Sequence, residues 1–235
     1  AAHVDACVQH FSDMAFQHHR FNGSAIIVGA DFALQASGWV GEPPTGLFGV
    51  FDGYSPASGV LCPEIEPALA ALRGDPGALD ILHADGDDAA RLAELRTRLP
   101  AVDEFVRSIG FRLVDGFDIT FSTGLERPQV LLGRLDAALD VDPSEAIARA
   151  DALAAALRER VPAEHIAEFD DLLAEPRYVN RLRDERGLYS DVAAVGILRL
   201  ALLEYGSRLA QRGAINTPSD ILAINGGELA DLRTG

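Results

Sequence analysis

Apolar residues recur at three- and four-residue steps along most of this chain, and that rhythm confines it to a helical architecture. Within residues 177–212, Val195, Leu198, Leu202, Tyr205 and Leu209 share one face, with Arg199 and Arg208 off it. This stretch reads as one long helix or two consecutive ones, stopped by Gly213 and Pro218, with a short terminal helix around 228–232. Residues 4–21 repeat the pattern through Val4, Val8, Phe11, Ala15 and Phe16. It weakens at Asn22-Gly23, resumes through Ile26, Ile27, Ala30, Phe32, Ala33 and Leu34, and stops near Gly38, which predicts one long kinked helix or two helices. Shorter helices are predicted over 64–72 and 75–83, one or two more over 87–110, and others over 126–139, 144–160 and 163–174. Pro143 sits at a first turn, followed by a capping-like Ser144-Glu145.

Two stretches break the rhythm. Residues 41–63 are rich in Gly, Pro and Ser and predict a long loop of the kind that serves in binding. Residues 111–123 carry aromatic and β-branched side chains suited to irregular or extended chain. The expectation is an all-α fold: a predominantly helical single domain over residues 1–235, with a long Gly/Pro loop and a short irregular or extended segment near 111–123. No internal repeat is present, and Asp140-Val-Asp-Pro143 is too weak a boundary to divide the chain.

The low aromatic share, 7%, within a 48% hydrophobic composition agrees with helix over strand. All 20 basic residues are arginine, which excludes a Walker-A lysine and a Schiff-base lysine. A formal charge of −16 opposes nucleic acid and anionic membranes. Cys7 and Cys62 belong to no ligand motif, so no metal site is expected. The longest apolar stretch, 25–36, is short and is interrupted by Gly29 and Asp31. The first 20 residues hold four histidines and two aspartates where a secretory signal needs an apolar run, so a cytoplasmic protein is the expectation.

Residues 181–189 (Arg181-Leu-Arg-Asp-Glu-Arg-Gly-Leu-Tyr189) are followed by a long amphipathic helix. After it come Leu209-Ala-Gln-Arg-Gly-Ala-Ile-Asn-Thr-Pro-Ser-Asp-Ile221 and Gly227-Glu-Leu229. Earlier stand Phe105-Val-Arg-Ser-Ile-Gly-Phe-Arg112, Phe117-Asp-Ile119 and Glu126-Arg-Pro128. This succession resembles the central, helical substrate-binding domain of phosphoenolpyruvate-utilising enzymes related to pyruvate phosphate dikinase, of the rifampin phosphotransferase type. The N-terminal helices and Phe51-Asp-Gly-Tyr-Ser-Pro56 fit it more loosely. In such enzymes an ATP-grasp domain phosphorylates a histidine on a swivelling domain, which passes the phosphoryl group to a hydroxyl compound held by the helical domain. The resemblance therefore implies that residues 1–235 bind a hydroxylated small molecule and no cofactor. ATP and Mg would belong to ATP-grasp and phosphohistidine domains missing from this sequence. The chain departs from the pattern at Phe111, where histidine is frequent, at Gly116, where glutamate is usual, and at Gly187, where rifampin enzymes carry lysine. A stand-alone lyase or dehydratase on the same scaffold, and a non-catalytic ligand-binding subunit, remain alternatives.

The resemblance designates Arg183 as the leading catalytic candidate, because a guanidinium can hold a phosphate or oxyanion bidentately. A helix start paired with Asp184 and Glu185 explains it equally. Arg112 and Asp118 are further catalytic candidates, with an internal ion pair as the alternative. Glu126 becomes a general base if burial raises its pKa, or else a helix cap. Arg186 and Tyr189 are substrate-binding candidates. So is His18, from a helix whose His10, Asp13 and Gln17 also share a face, with an exposed polar surface as the favoured alternative. Trp39, Phe48, Phe51 and Tyr54 can line an apolar pocket or anchor the loop. The combined expectation is that Arg183 and Arg112 face one cavity together with aromatics from 39–54.

Overall fold

The computed structural model describes residues 2–57, 62–225 and 227–228, without the side chains at 22, 24 and 25. The chain is all-α, with nine α-helices among the described residues. They are α1 (Ala2–Val40), α2 (Ile65–Arg73), α3 (Pro76–His83), α4 (Asp88–Arg98), α5 (Pro100–Ile109), α6 (Pro128–Leu139), α7 (Pro143–Arg158), α8 (Ile166–Arg186) and α9 (Val192–Gln211). Residues 111–127 are irregular, and their one extended pairing is an antiparallel bridge between Leu113 and Thr123. No helix among the described residues is long and apolar enough to cross a membrane.

Helix starts follow local chemistry. Pro76, Pro100, Pro128 and Pro143 stand in first turns, where a missing amide hydrogen costs nothing. The Asp75, Asp87 and Asp142 carboxylates accept from amides of the turns they open. Such a cap contributes about 1 kcal/mol. The cap of α7 is thus Asp142, one residue before the proline, rather than Ser144-Glu145. The predicted helix break near residue 176 is absent. Pro176 is carried inside α8, whose start lies ten residues earlier at Ile166. The helix expected at 228–232 falls mostly outside the described residues. Proline-led 3₁₀ turns at Pro44–Gly46 and Pro218–Ala223, and another at Phe48–Phe51, were not legible as helix.

α1 is a single helix of 39 residues, about 58 Å long at 1.5 Å per residue. It runs antiparallel to a rod formed by α8, a π-helical turn (Gly187–Asp191) and α9. Val4 and Cys7 pack with Leu198, Leu202 and Leu209 of α9, whereas Phe32, Ala33 and Ala36 pack with Phe169 and Leu173 of α8. Helices α2 to α6 enclose a separate core around Leu69, Leu95, Phe105 and Leu135, with α7 lying beside Phe51.

Two glycines permit close approaches that fix the irregular segment and the C-terminal turn. A Cβ at Gly196 would fall 1.9 Å from the Phe111 carbonyl oxygen, and one at Gly206 would fall 2.2 Å from that of Pro218. No larger residue fits without moving α9.

Candidate functional site

The π-turn lies opposite the middle of α1, and it creates the site. An α-helix places residues five apart on different faces, whereas one extra residue per turn brings them together. Arg186 Nη1 consequently donates to Asp191 Oδ1 at 3.0 Å, while His18 Nδ1 of α1 meets Asp191 Oδ2 at 2.8 Å. The Asp191 side chain is 3% exposed. A carboxylate at that distance requires the hydrogen on Nδ1, so in the neutral ring Nε2 is the basic nitrogen. The 3.4 Å approach of Arg186 Nη2 to the same Nδ1 is therefore a contact, while Arg186 Nη1 donates to Asp191.

His18 and Asp191 of this triad line a hollow of about 920 Å³. Phe11, Met14, Leu113 and Phe117 supply apolar wall, and His18, Asp191, Arg134 and Arg183 supply polar groups. Such a mixture, mostly apolar with convergent polar groups, suits a small organic ligand. Burial is the main influence lowering the Arg134 pKa, and the like charge of Arg112 adds to it.

Arg112, next to Leu113 in the chain, is buried, with its guanidinium 4.7 Å from the Tyr189 ring centre and 3.3 Å from Glu64. Its Nε and Nη1 are buried without a hydrogen-bond partner. Tyr189 donates to Glu64 at 2.9 Å. Burial, reinforced by that bond, pushes the phenol pKa up to about 12. Burial would raise the Glu64 carboxyl too, but its own amide, Tyr189, Cys62 and Arg112 together hold it below the usual carboxylate range. Burial also keeps the Cys62 thiol protonated to higher pH than usual.

The remaining sequence candidates lie elsewhere. Glu126 does not become a raised-pKa base. Arg199 grips it with two hydrogen bonds of 2.7 and 2.8 Å and, with bonds from Thr123, lowers its pKa to about 2. Nor does it cap α6, which has no side-chain cap. Arg199, expected off the apolar face, is buried because it pairs there and donates to the Ile119 carbonyl. Asp118 is exposed and closes a local turn with Thr120, whose hydroxyl and amide lower its pKa.

The loop aromatics do not join Arg112 in one cavity. Trp39 stacks on His165 at 5.0 Å near the C-terminal end of α1, and Phe51 is buried against Phe32. Tyr54 donates to Asp151 beneath the Arg177 guanidinium. Phe48 and Phe51 line a second hollow of about 560 Å³ beside Ile26 and Arg149. Arg183 borders both hollows and bonds to its neighbour Asp184 at 2.9 and 3.1 Å. The reason for the separation is α1 itself. It carries the 39–54 loop to one end of the rod, whereas the π-turn faces its middle.

Sequence reasoning missed Asp191, Arg134, Glu64 and Arg199. The arginine–aspartate step of five, 186 to 191, was the one available signal, and it has meaning only once a π-turn is known. Among the described residues no three metal-ligating side chains converge. No family model, no curated protein and no solved structure matches this chain.

Proposed function

We propose that the chain is an acceptor-binding helical domain of the phosphoenolpyruvate-utilising, rifampin phosphotransferase type, holding a hydroxylated and largely apolar small molecule for phosphorylation by partner domains. The observation that supports this reading is that Arg183, Asp184, Gly187, Leu188 and Asp191 line the hollow of about 920 Å³ together with His18. In this reading the apolar wall holds the body of the ligand and excludes water. His18, fixed in one tautomer by Asp191, receives the proton of the ligand hydroxyl at Nε2. Arg183 and Arg134 balance negative charge arriving at that oxygen, which a dry, preorganised site makes effective. ATP and Mg belong to the partner domains in this scheme, and this chain has no lysine to hold a nucleotide phosphate.

A thermal-shift screen of hydroxylated, apolar natural-product-like compounds tests the reading, with Mg-ATP alongside. A ligand at 100 times its Kd adds about 2.7 kcal/mol. Stabilisation by such alcohols, lost in Arg183→Ala, and none by Mg-ATP is the expected result. A shift produced by Mg-ATP alone would remove the proposed division of labour.

A further inference from the structure

The face of α1 turned away from the core carries large apolar side chains. Phe16 is 63% exposed, Ile27 68% and Leu34 64%. With Arg20, Gly23 and Ala30 they occupy positions 16, 20, 23, 27, 30 and 34, the alternating four- and three-residue steps of a coiled-coil seam. We infer that this seam pairs α1 with α1 of a second copy of the chain, antiparallel, about a two-fold axis near residue 25.

The steps read the same in both directions, so an antiparallel partner falls into register without adjustment. Phe16 then meets Leu34 of the other copy. Ile27 enters the notch at Gly23, where, among the described residues, a Cβ would meet no atom outside its own stretch of helix within 4 Å. Large opposite small is the knob-into-hole pairing that a coiled-coil seam requires.

Charge selects the direction. Arg20 and Asp31 lie eleven residues apart on the same flank of the stripe, and in antiparallel packing like flanks meet. Arg20 of each copy therefore faces Asp31 of the other, twice by symmetry. A parallel pairing would instead bring Arg20 against Arg20. Within their own chain, and among the described residues, neither side chain has an ion-pair partner; the Arg20 guanidinium lies over the Phe16 ring at 5.6 Å. In a chain of net charge −16, an arginine on an apolar stripe with its complement one register away fits a second copy better than an unrelated acidic surface. The seam spans about 27 Å of helix, at the small end of specific interfaces, so dissociation in the micromolar range is expected.

Sedimentation equilibrium of the whole chain, up to about 100 μM, should show a species of twice the 25.1 kDa mass. A monomer throughout that range overturns the inference. Ile27→Glu should abolish the dimer while leaving the far-ultraviolet spectrum and melting temperature of the monomer unchanged; a dimer that survives it overturns the proposed face. Arg20→Glu and Asp31→Arg should each weaken association about tenfold or more, the double exchange R20E/D31R restoring it. Failure of the double exchange to restore it rules out the antiparallel pairing.

Discussion

His18 and Asp191, 173 residues apart in sequence, meet at 2.8 Å because α1 and the α8–α9 rod run antiparallel and the π-turn lies at the middle of both. Asp191 is buried and answers two donors at once. Asp191→Ala should therefore cost roughly 3–5 kcal/mol, the range for breaking a buried pair from one side. Urea unfolding measures this, and a double-mutant cycle with His18→Ala should give a coupling above about 0.5 kcal/mol. A cost under 1 kcal/mol would mean that the triad does not organise the site.

Arg183→Ala should behave differently. Its side chain is 42% exposed and its hydrogen bonds go to the adjacent Asp184. Loss of such a pair changes stability by about 0–1 kcal/mol, so the melting temperature should stay within a few degrees. Under the proposed function, ligand binding is what the variant loses. A large drop in melting temperature with ligand response intact would assign Arg183 to structure alone.

Gly196→Ala should destabilise the protein, even though alanine is the better helix former. The added methyl would collide with the Phe111 carbonyl, and forcing α9 away from the irregular segment costs about 1–3 kcal/mol. Gly133→Ala is the matching control on α6, where a Cβ meets nothing within 4 Å and a small gain in stability is expected. Equal effects at the two positions would refute the close approach.

The Glu126–Arg199 pair predicts a pH dependence. The folded pKa of Glu126 is about 2, against the ordinary 4.5. A depressed carboxyl pKa contributes stability above the unfolded value and loses it as pH falls through the folded one. The contribution is roughly 3 kcal/mol at 1.36 kcal/mol per pKa unit, fully present above pH 4.5 and lost towards pH 2. Asp75, Asp103 and Asp170, each lowered by a paired arginine, titrate in the same region. The informative quantity is thus the difference between wild type and Glu126→Gln. That gap should close as pH drops from 4.5 to 2, and a pH-independent gap would contradict the pairing.

Much of the fold was legible because helix rhythm and capping are local. Pro143 marks a start that the structure reproduces, the starts expected at 75 and 126 fall within two residues of Pro76 and Pro128, and the all-α expectation follows from the three-four spacing; the start at Pro100, inside the stretch 87–110, was left open. The break assumed before residue 177 failed because proline ends a helix only where its lost hydrogen bond is not offset by packing, and Pro176 is buried in the long α8. The site was half legible. Arg183, Arg186 and His18 were marked; Arg183 and His18 line the hollow and Arg186 holds Asp191, but Asp191 was not marked, because a 3.6-residue period places it on another face from Arg186.

By itself the sequence determined the helical class, the positions of most helix starts, the acidic surface and the absence of lysine chemistry. These depend on residue type and near-neighbour spacing, which the chain carries in any conformation. Only the tertiary structure decided which charges are paired. Glu126 was free to be a base until Arg199 crossed from α9 to hold it, and Arg112 was free to face a ligand until Tyr189 and Glu64 enclosed it. Protonation and burial depend on groups brought within a few ångströms across more than seventy residues of chain in the first case and on Tyr189 in the second, and no local pattern encodes such distances.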